Sequence, residues 1–218
     1  MALTQTPPAL EFSHVRASRP QTLPFGPNLE ARAFLLERDA GNLLIYSNGA
    51  LAGDAEWLES AGVERQYLNH WHESMFGLAP EELGARPVVH RADAQQVIEH
   101  GGRPLTFARR FHLDDDFEAI PIPGHTPGAT AYLWDSGERR FLFTGDSVYL
   151  HRGRWRVGLL ASSDPRSFIE SLELMRELDF DVLVPWVTGV GEAWAHPVSP
   201  EERHERFGRL IDFIRRAR

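Results

Sequence analysis

Three short stretches of this sequence carry side chains able to hold a metal ion. His70 and His72 flank Trp71 in Asn69-His70-Trp71-His72-Glu73. In an extended segment, residues two apart point to the same side. Both imidazoles would then face one point, where a divalent ion can bind. Pro123-Gly124-His125-Thr126-Pro127-Gly128 is a tight turn, set by its glycines and prolines, that presents one histidine. Phe143-Thr144-Gly145-Asp146 is an apolar run ending in glycine and a carboxylate. Each stretch also has a plain structural reading. A His-x-His pair arises often by chance, His125 can be a surface turn residue, and Asp146 can cap a turn as readily as bind an ion.

Composition limits the chemistry further. The 218 residues include no cysteine, which excludes disulfides, thiolate catalysis and cysteine-held zinc or iron–sulfur sites. Any metal must be held by His, Asp or Glu, and 10 histidines are present. A formal net charge of −8 repels phosphate backbones, so nucleic acid is not an expected partner. The segment Met1-Ala2-Leu3-Thr4-Gln5-Thr6-Pro7-Pro8 has neither a basic start nor an apolar export core. No apolar run approaches the roughly 20 residues that span a bilayer. A cytoplasmic protein without membrane association is expected.

The elements that must carry these side chains can be read from pattern. Residues 31–39 and 43–47 form a hairpin about Ala40-Gly41-Asn42. A helix over 55–61, capped by Asp54 and stopped by Gly62, leads to a strand over 66–68 that ends at the histidine pair. A strand over 87–90 and a helix over 92–99 make a β/α unit, and strands at 117–123, 129–134 and 141–144 follow. Asp164-Pro165 starts a helix that leads to a strand at 182–184. Ser199-Pro200-Glu201-Glu202 opens a last helix with an apolar stripe of Phe207, Leu210, Ile211 and Ile214, and Arg215, Arg216 and Arg218 suit the negative end of its dipole. With no linker-like stretch, residues 1–218 read as one domain.

In this order and spacing, the motifs resemble the metallo-β-lactamase superfamily over nearly the whole chain. That resemblance implies an α/β fold, an αββα sandwich of two mixed β-sheets flanked by helices, with the site on loops at strand ends. The family's His-x-His-x-Asp-His motif aligns on His70-Trp71-His72-Glu73-Ser74-Met75. The resemblance thus implies His70, His72 and His125 as ligands of a first metal and Asp146 as a bridging ligand and catalytic carboxylate. The motif's Asp and final His are replaced by Ser74 and Met75. The last ligand, expected after Phe180-Asp181-Val182-Leu183-Val184-Pro185, is replaced in Pro185-Trp186-Val187. Hydroxyl, thioether and valine are poor or useless ligands for a hard divalent ion.

The implied protein is a mononuclear metal-dependent hydrolase. One divalent ion, zinc with iron or manganese as alternatives, supplies hydroxide to attack an ester, lactone, thioester or related small-molecule electrophile, and Asp146 orients the water or accepts its proton. Two other readings stand beside it. One is a non-catalytic scaffold, metal-bound or metal-free. The other is an iron-dependent dioxygenase of the persulfide dioxygenase type, with His70, His125 and Asp146 as a two-histidine, one-carboxylate triad. Glu73, His151, Glu192 and His196 are candidates to refill a second metal site, while His90, His100, His112 and His204 read as structural. Trp71 and Trp186 either line the pocket mouth or belong to the core. Unperturbed histidines titrate near 6.5, so metal affinity is expected to fall below that pH.

Overall fold

Residues 12–80 and 83–217 are described in the computed structural model. The expectations for Met1–Pro8 and for Arg218 lie outside these residues. One sheet runs in the order β1 (Val15–Ala17), β4 (Phe34–Leu36), β5 (Asn42–Ile45), β6 (Val63–Tyr67), β7 (Arg86–His90) and β8 (Leu105–Phe107). A second runs β17 (His196–Pro197), β15 (Val182–Pro185), β12 (Arg140–Gly145), β11 (Thr130–Asp135), β10 (Phe117–Pro121) and β9 (Phe111–Leu113). A third ladder joins β14 (Arg154–Arg156), β13 (Tyr149–His151), β16 (Val187–Gly189), β3 (Gly26–Ala31) and β2 (Gln21–Leu23). All three mix parallel and antiparallel pairs.

The third ladder departs from the two sheets expected from sequence. The strands that leave β15 and β4 turn away at Trp186 and at Arg32-Ala33, where Arg32 N–H donates to the Trp186 carbonyl (3.1 Å).

Alternation along each strand builds the layers. In β4 and β5, Phe34, Leu36, Leu43 and Ile45 enter the core between the sheets, while Leu35 and Leu44 enter a second cluster with Leu58 of α1 (Ala55–Ser60). In β12 and β15, Phe141, Phe143, Val182 and Val184 face that same central core, and Leu142 and Leu183 face Phe168, Leu172, Phe207 and Ile211. Those four lie on α3 (Pro165–Glu177) and α4 (Pro200–Arg216). Val97 of α2 (Ala94–Glu99) packs on Leu68 and Val89. Strands buried on both faces read as unbroken apolar runs, with period two deciding only which core each side chain joins. The αββα layering follows.

The starts of α3 and α4 match their sequence signals, whereas Asp54, expected to cap α1, makes no cap bond and accepts Arg19 Nε–H (2.8 Å) instead. Asp164 accepts the Arg166 amide (3.0 Å), and Ser199 and Glu202 form a reciprocal capping box. Among the described residues, no helix is long and apolar enough to cross a membrane.

Candidate metal centre

His70, His72 and His125 converge where β6, β10 and β12 end. Ring nitrogens of the three histidines lie within 4.8 Å of one another. His72 Nδ1 and His125 Nε2 are 3.1 Å apart, and the ring pairs cross at 76° to 82°, edge to face about one point. Asp146 closes one side, with Oδ2 at 3.8 Å from His70 Nε2 and 4.0 Å from His125 Nε2.

His70 and His72 meet by a different route from the one their spacing suggests. His70 is extended (φ −156°, ψ 165°), but Trp71–Phe76 forms a 3₁₀ turn. The turn, rather than strand alternation, brings the two rings together.

Buried polar groups fix each of these loops. Asp93, fully buried, accepts Trp71 N–H (3.2 Å), the Thr126 hydroxyl (2.6 Å) and Gly128 N–H (2.8 Å), tying the His70–His72 turn to the His125 turn. The Asn69 side-chain amide donates to the Thr130 carbonyl, and Thr130 N–H donates back to the Asn69 carbonyl (2.9 Å). Tyr46 accepts Gly145 N–H (2.8 Å) and donates to the Val184 carbonyl (2.7 Å), which holds the end of β12. Gly145 has φ +57°, and a Cβ there would overlap the Asn69 side chain. Only glycine fits that corner, and the corner aims Asp146 inward.

The protonation states suit a cation. His125 Nδ1 lies 2.5 Å from the Gly158 carbonyl; an N–H donated there leaves Nε2 bare toward the cluster. Burial, with like-charged neighbours second, lowers the pKa of His70 well below the usual range and that of His72 to about 4. Burial lowers His125 as well. All three are neutral at pH 7, the form that binds metal. Burial raises the Asp146 carboxyl to about 7. Nε2 of His70, which faces Asp146, and Oδ1 of Asp146 are buried without a hydrogen-bond partner. Such orphaned atoms are costly unless something else satisfies them, and a divalent ion fits this donor set of imidazoles and one carboxylate.

These shifts move the expected pH dependence away from unperturbed histidine values. A depressed histidine takes up no proton until the pH nears its folded value, whereas Asp146 holds a proton below about 7 and must lose it beside a cation. Metal uptake at pH 6 is therefore expected to release close to one proton, from Asp146, whereas at pH 8 Asp146 releases almost none and any proton released comes from water on the ion. Calorimetric titration in buffers of different ionisation enthalpy measures this directly. Release of two or more protons at pH 6 would show histidines titrating at ordinary values.

The structure brings together His70, His72, His125 and Asp146 but not the candidates for a second metal site. Glu73 lies behind His70, on its Nδ1 side (3.3 Å). Glu192 is taken up by Arg152 N–H (2.5 Å) and Gly153 N–H (3.5 Å), and His196 lies against the Trp155 ring (5.8 Å). His151 belongs to no cluster of three potential ligands among the described residues. At the altered motif positions, Ser74 donates to the Trp71 carbonyl (2.6 Å), Met75 is half exposed to solvent (52%), and Val187 is buried in the core.

Trp186 is a core residue rather than a wall of the mouth. It is buried, donates to the Ser47 carbonyl (2.7 Å) and sets its ring edge-on to His70 (5.4 Å). Trp71 is half-buried and rests on His72, with ring centroids 4.0 Å apart. His100 corrects the structural assignment in part: it meets Ser74 Oγ through Nδ1 (2.8 Å) and stacks on Trp71, beside the centre. His90 sets its ring against Phe107 (5.5 Å), and the exposed His112 lies 3.2 Å from Glu118.

Asp93, Asn69 and Gly158 were not legible as site residues. Asp93 falls inside the stretch expected as a helix over 92–99; in the structure it directly precedes α2, and its side chain makes no cap bond. Gly158 acts through its carbonyl, which no side chain announces.

Residues 52–185 match the family model of the metallo-β-lactamase superfamily. The chain belongs to that superfamily. The matched span contains the three histidines and Asp146. Solved structures of the superfamily share the fold. A metallo-β-lactamase from Pontibacter korlensis superposes with a TM-score of 0.70 at 17% identity, covering 94% of this chain and 96% of that one. An archaeal superfamily protein from Sulfolobus tokodaii gives 0.65 at 20%, covering 93% and 94%. The metallo-β-lactamase FIM-1 from Pseudomonas aeruginosa, in its mono-zinc form, gives 0.69 at 14%, covering 94% of each. No curated protein matches the sequence.

Proposed function

We propose that this superfamily member is a mononuclear metal-dependent hydrolase whose ion is held by His70, His72 and His125. The observation that carries the reading is the convergence of three neutral imidazoles within 4.8 Å, with the buried Nε2 of His70 otherwise unpartnered. A divalent ion there, zinc by the nitrogen-rich donor set, supplies a Lewis acid and a water made acidic enough to react near neutral pH.

The chain's own residues do the rest. The Gly158 carbonyl and the His70–His72 turn hold the rings in place. Asp146 gives up its proton beside a cation, and its carboxylate, 3.8 Å from His70 Nε2, is then placed to orient a water or accept a proton from it. The substrates that fit are small esters, lactones or thioesters. Ser74, Met75 and Val187 turn to other partners, to solvent and to the core, which supports one ion rather than two. The closeness of His72 to His125 supports three histidines over the iron triad, in which His72 has no part.

The test is elemental analysis of protein reconstituted with excess zinc, paired with assays on ester, lactone and thioester substrates. Zinc is expected to plateau at one per chain, and turnover to be lost on chelation and restored by zinc. Two ions per chain would overturn the mononuclear reading. No bound zinc would overturn the hydrolase reading.

A further inference from the structure

A chain of net charge −8 offers many of its arginines a carboxylate, as Asp114 and Asp116 do for the buried Arg38. Arg86, at the start of β7, and Arg103, in the loop after α2, are different: among the described residues neither pairs with an acidic side chain. Arg86 Nη2 donates instead to the Arg103 carbonyl (3.3 Å), which joins the two residues beside a cavity of about 620 Å³. That volume suits a small organic molecule. Leu78, Ala85 and Pro87 line it with apolar surface, and its charged lining is Arg86 and Arg103, with His100 beside them. The wall is closely packed at Gly102, where a Cβ would stand 2.8 Å from both Leu78 and Val97.

His100 joins the cavity to the turn that carries His72. The Ser74 hydroxyl has one proton and gives it to the Trp71 carbonyl (2.6 Å), so in the 2.8 Å contact with Ser74 Oγ it is His100 Nδ1 that donates. The His100 ring stacks on Trp71 (5.8 Å, 22°), which rests on His72. A guanidinium presents a planar fork of donors that matches a carboxylate or a phosphate, and it stays charged at neutral pH. The negative field of the whole chain repels anions, so one is held only where local donors of this kind outweigh it. We propose that the cavity binds a small organic anion, with its carboxylate or phosphate on Arg86 and Arg103 and its apolar body against Leu78, Ala85 and Pro87. The site is separate from the metal centre, and it stands whether or not that centre hydrolyses anything.

The test uses metal-free protein at pH 8, where the histidines of the metal centre are neutral and hold no anion. Phenylacetate and phenyl phosphate are the probes, phenylacetamide is the uncharged control, and ¹H–¹⁵N spectra follow the amides of Gly101, Gly102 and Arg103. At least one of the anions is expected to shift these amides saturably and to bind about tenfold or more tightly than phenylacetamide, and the tighter of the two names the head group. Arg86→Ala and Arg103→Ala are each expected to weaken that binding by about tenfold, and added salt to weaken it further. Both side chains are exposed, so the fold should survive their loss. A variant without a cooperative melt is replaced by Arg86→Lys or Arg103→Lys, which keeps the charge, loses the fork and should still bind more weakly. The proposal is overturned if neither anion saturates below about 10 mM, if phenylacetamide binds as tightly, if the shifts fall away from the cavity, or if the folded variants at both positions keep wild-type affinity.

Discussion

His72→Ala is expected to lower zinc affinity by more than about 100-fold and to remove hydrolysis with it, because loss of an orienting group outside the ligand set already costs about 10–100-fold. His72 Nδ1 lies 3.1 Å from His125 Nε2, so its removal opens one side of the cluster. Glu73 is not placed to substitute, since it lies on the far edge of His70. The paired variant is Asp146→Ala. Its carboxylate stands 3.8 Å and 4.0 Å from two of the histidines, so zinc is expected to stay bound while the loss of the proton acceptor slows turnover by about 100-fold or more. Competition with a chromophoric chelator measures the affinities, and steady-state assays measure the rates. If His72→Ala keeps its metal and Asp146→Ala loses it, the ligand set is His70, His125 and Asp146, and the iron triad replaces the three-histidine reading.

Gly145→Ala is expected to destabilise the fold by about 3 kcal/mol, the sum of a left-handed backbone penalty and forced repacking of a dense site. The residue sits at φ +57°, and its new Cβ would overlap Asn69, whose amide is bonded to the Thr130 carbonyl and cannot swing away freely. For a chain of this size the melting temperature should fall by roughly 6–12 °C. Gly137→Ala isolates the contact. That glycine has φ +81° with nothing within 4 Å of its missing Cβ, so it is expected to lose only the backbone share, about 1 kcal/mol. Because the same corner aims Asp146, Gly145→Ala should also weaken metal binding, which Gly137→Ala should not. Equal melting temperatures for the two variants would show that the Asn69 contact yields without cost.

What could be read without coordinates was local in origin. Strand runs such as Phe34–Leu36 and Phe141–Phe143, the caps at Asp164 and Ser199, and the turns that carry His125 and Asp146 depend on residues a few positions apart. Propensity and side-chain period therefore report them. The His-x-His spacing and the motif order likewise pointed to the superfamily and to the residues now found together. The spacing was right about the meeting of His70 and His72 but not about its cause, because a 3₁₀ turn held by Glu73 overrides strand alternation.

By itself, then, the sequence determined the layers, the family and the identity of the converging histidines. Tertiary structure alone decided what each polar side chain faces. Asp93 clamps two loops through groups 22 to 35 residues away, the Gly158 carbonyl meets His125 across 33, and Trp186 reaches Ser47 across 139. The roles of Glu73 behind His70 and of His100 beside Ser74 were open for the same reason. A buried donor or acceptor must find a partner, but chain separation places no limit on where that partner comes from, so only the packed fold shows which pairings satisfy it.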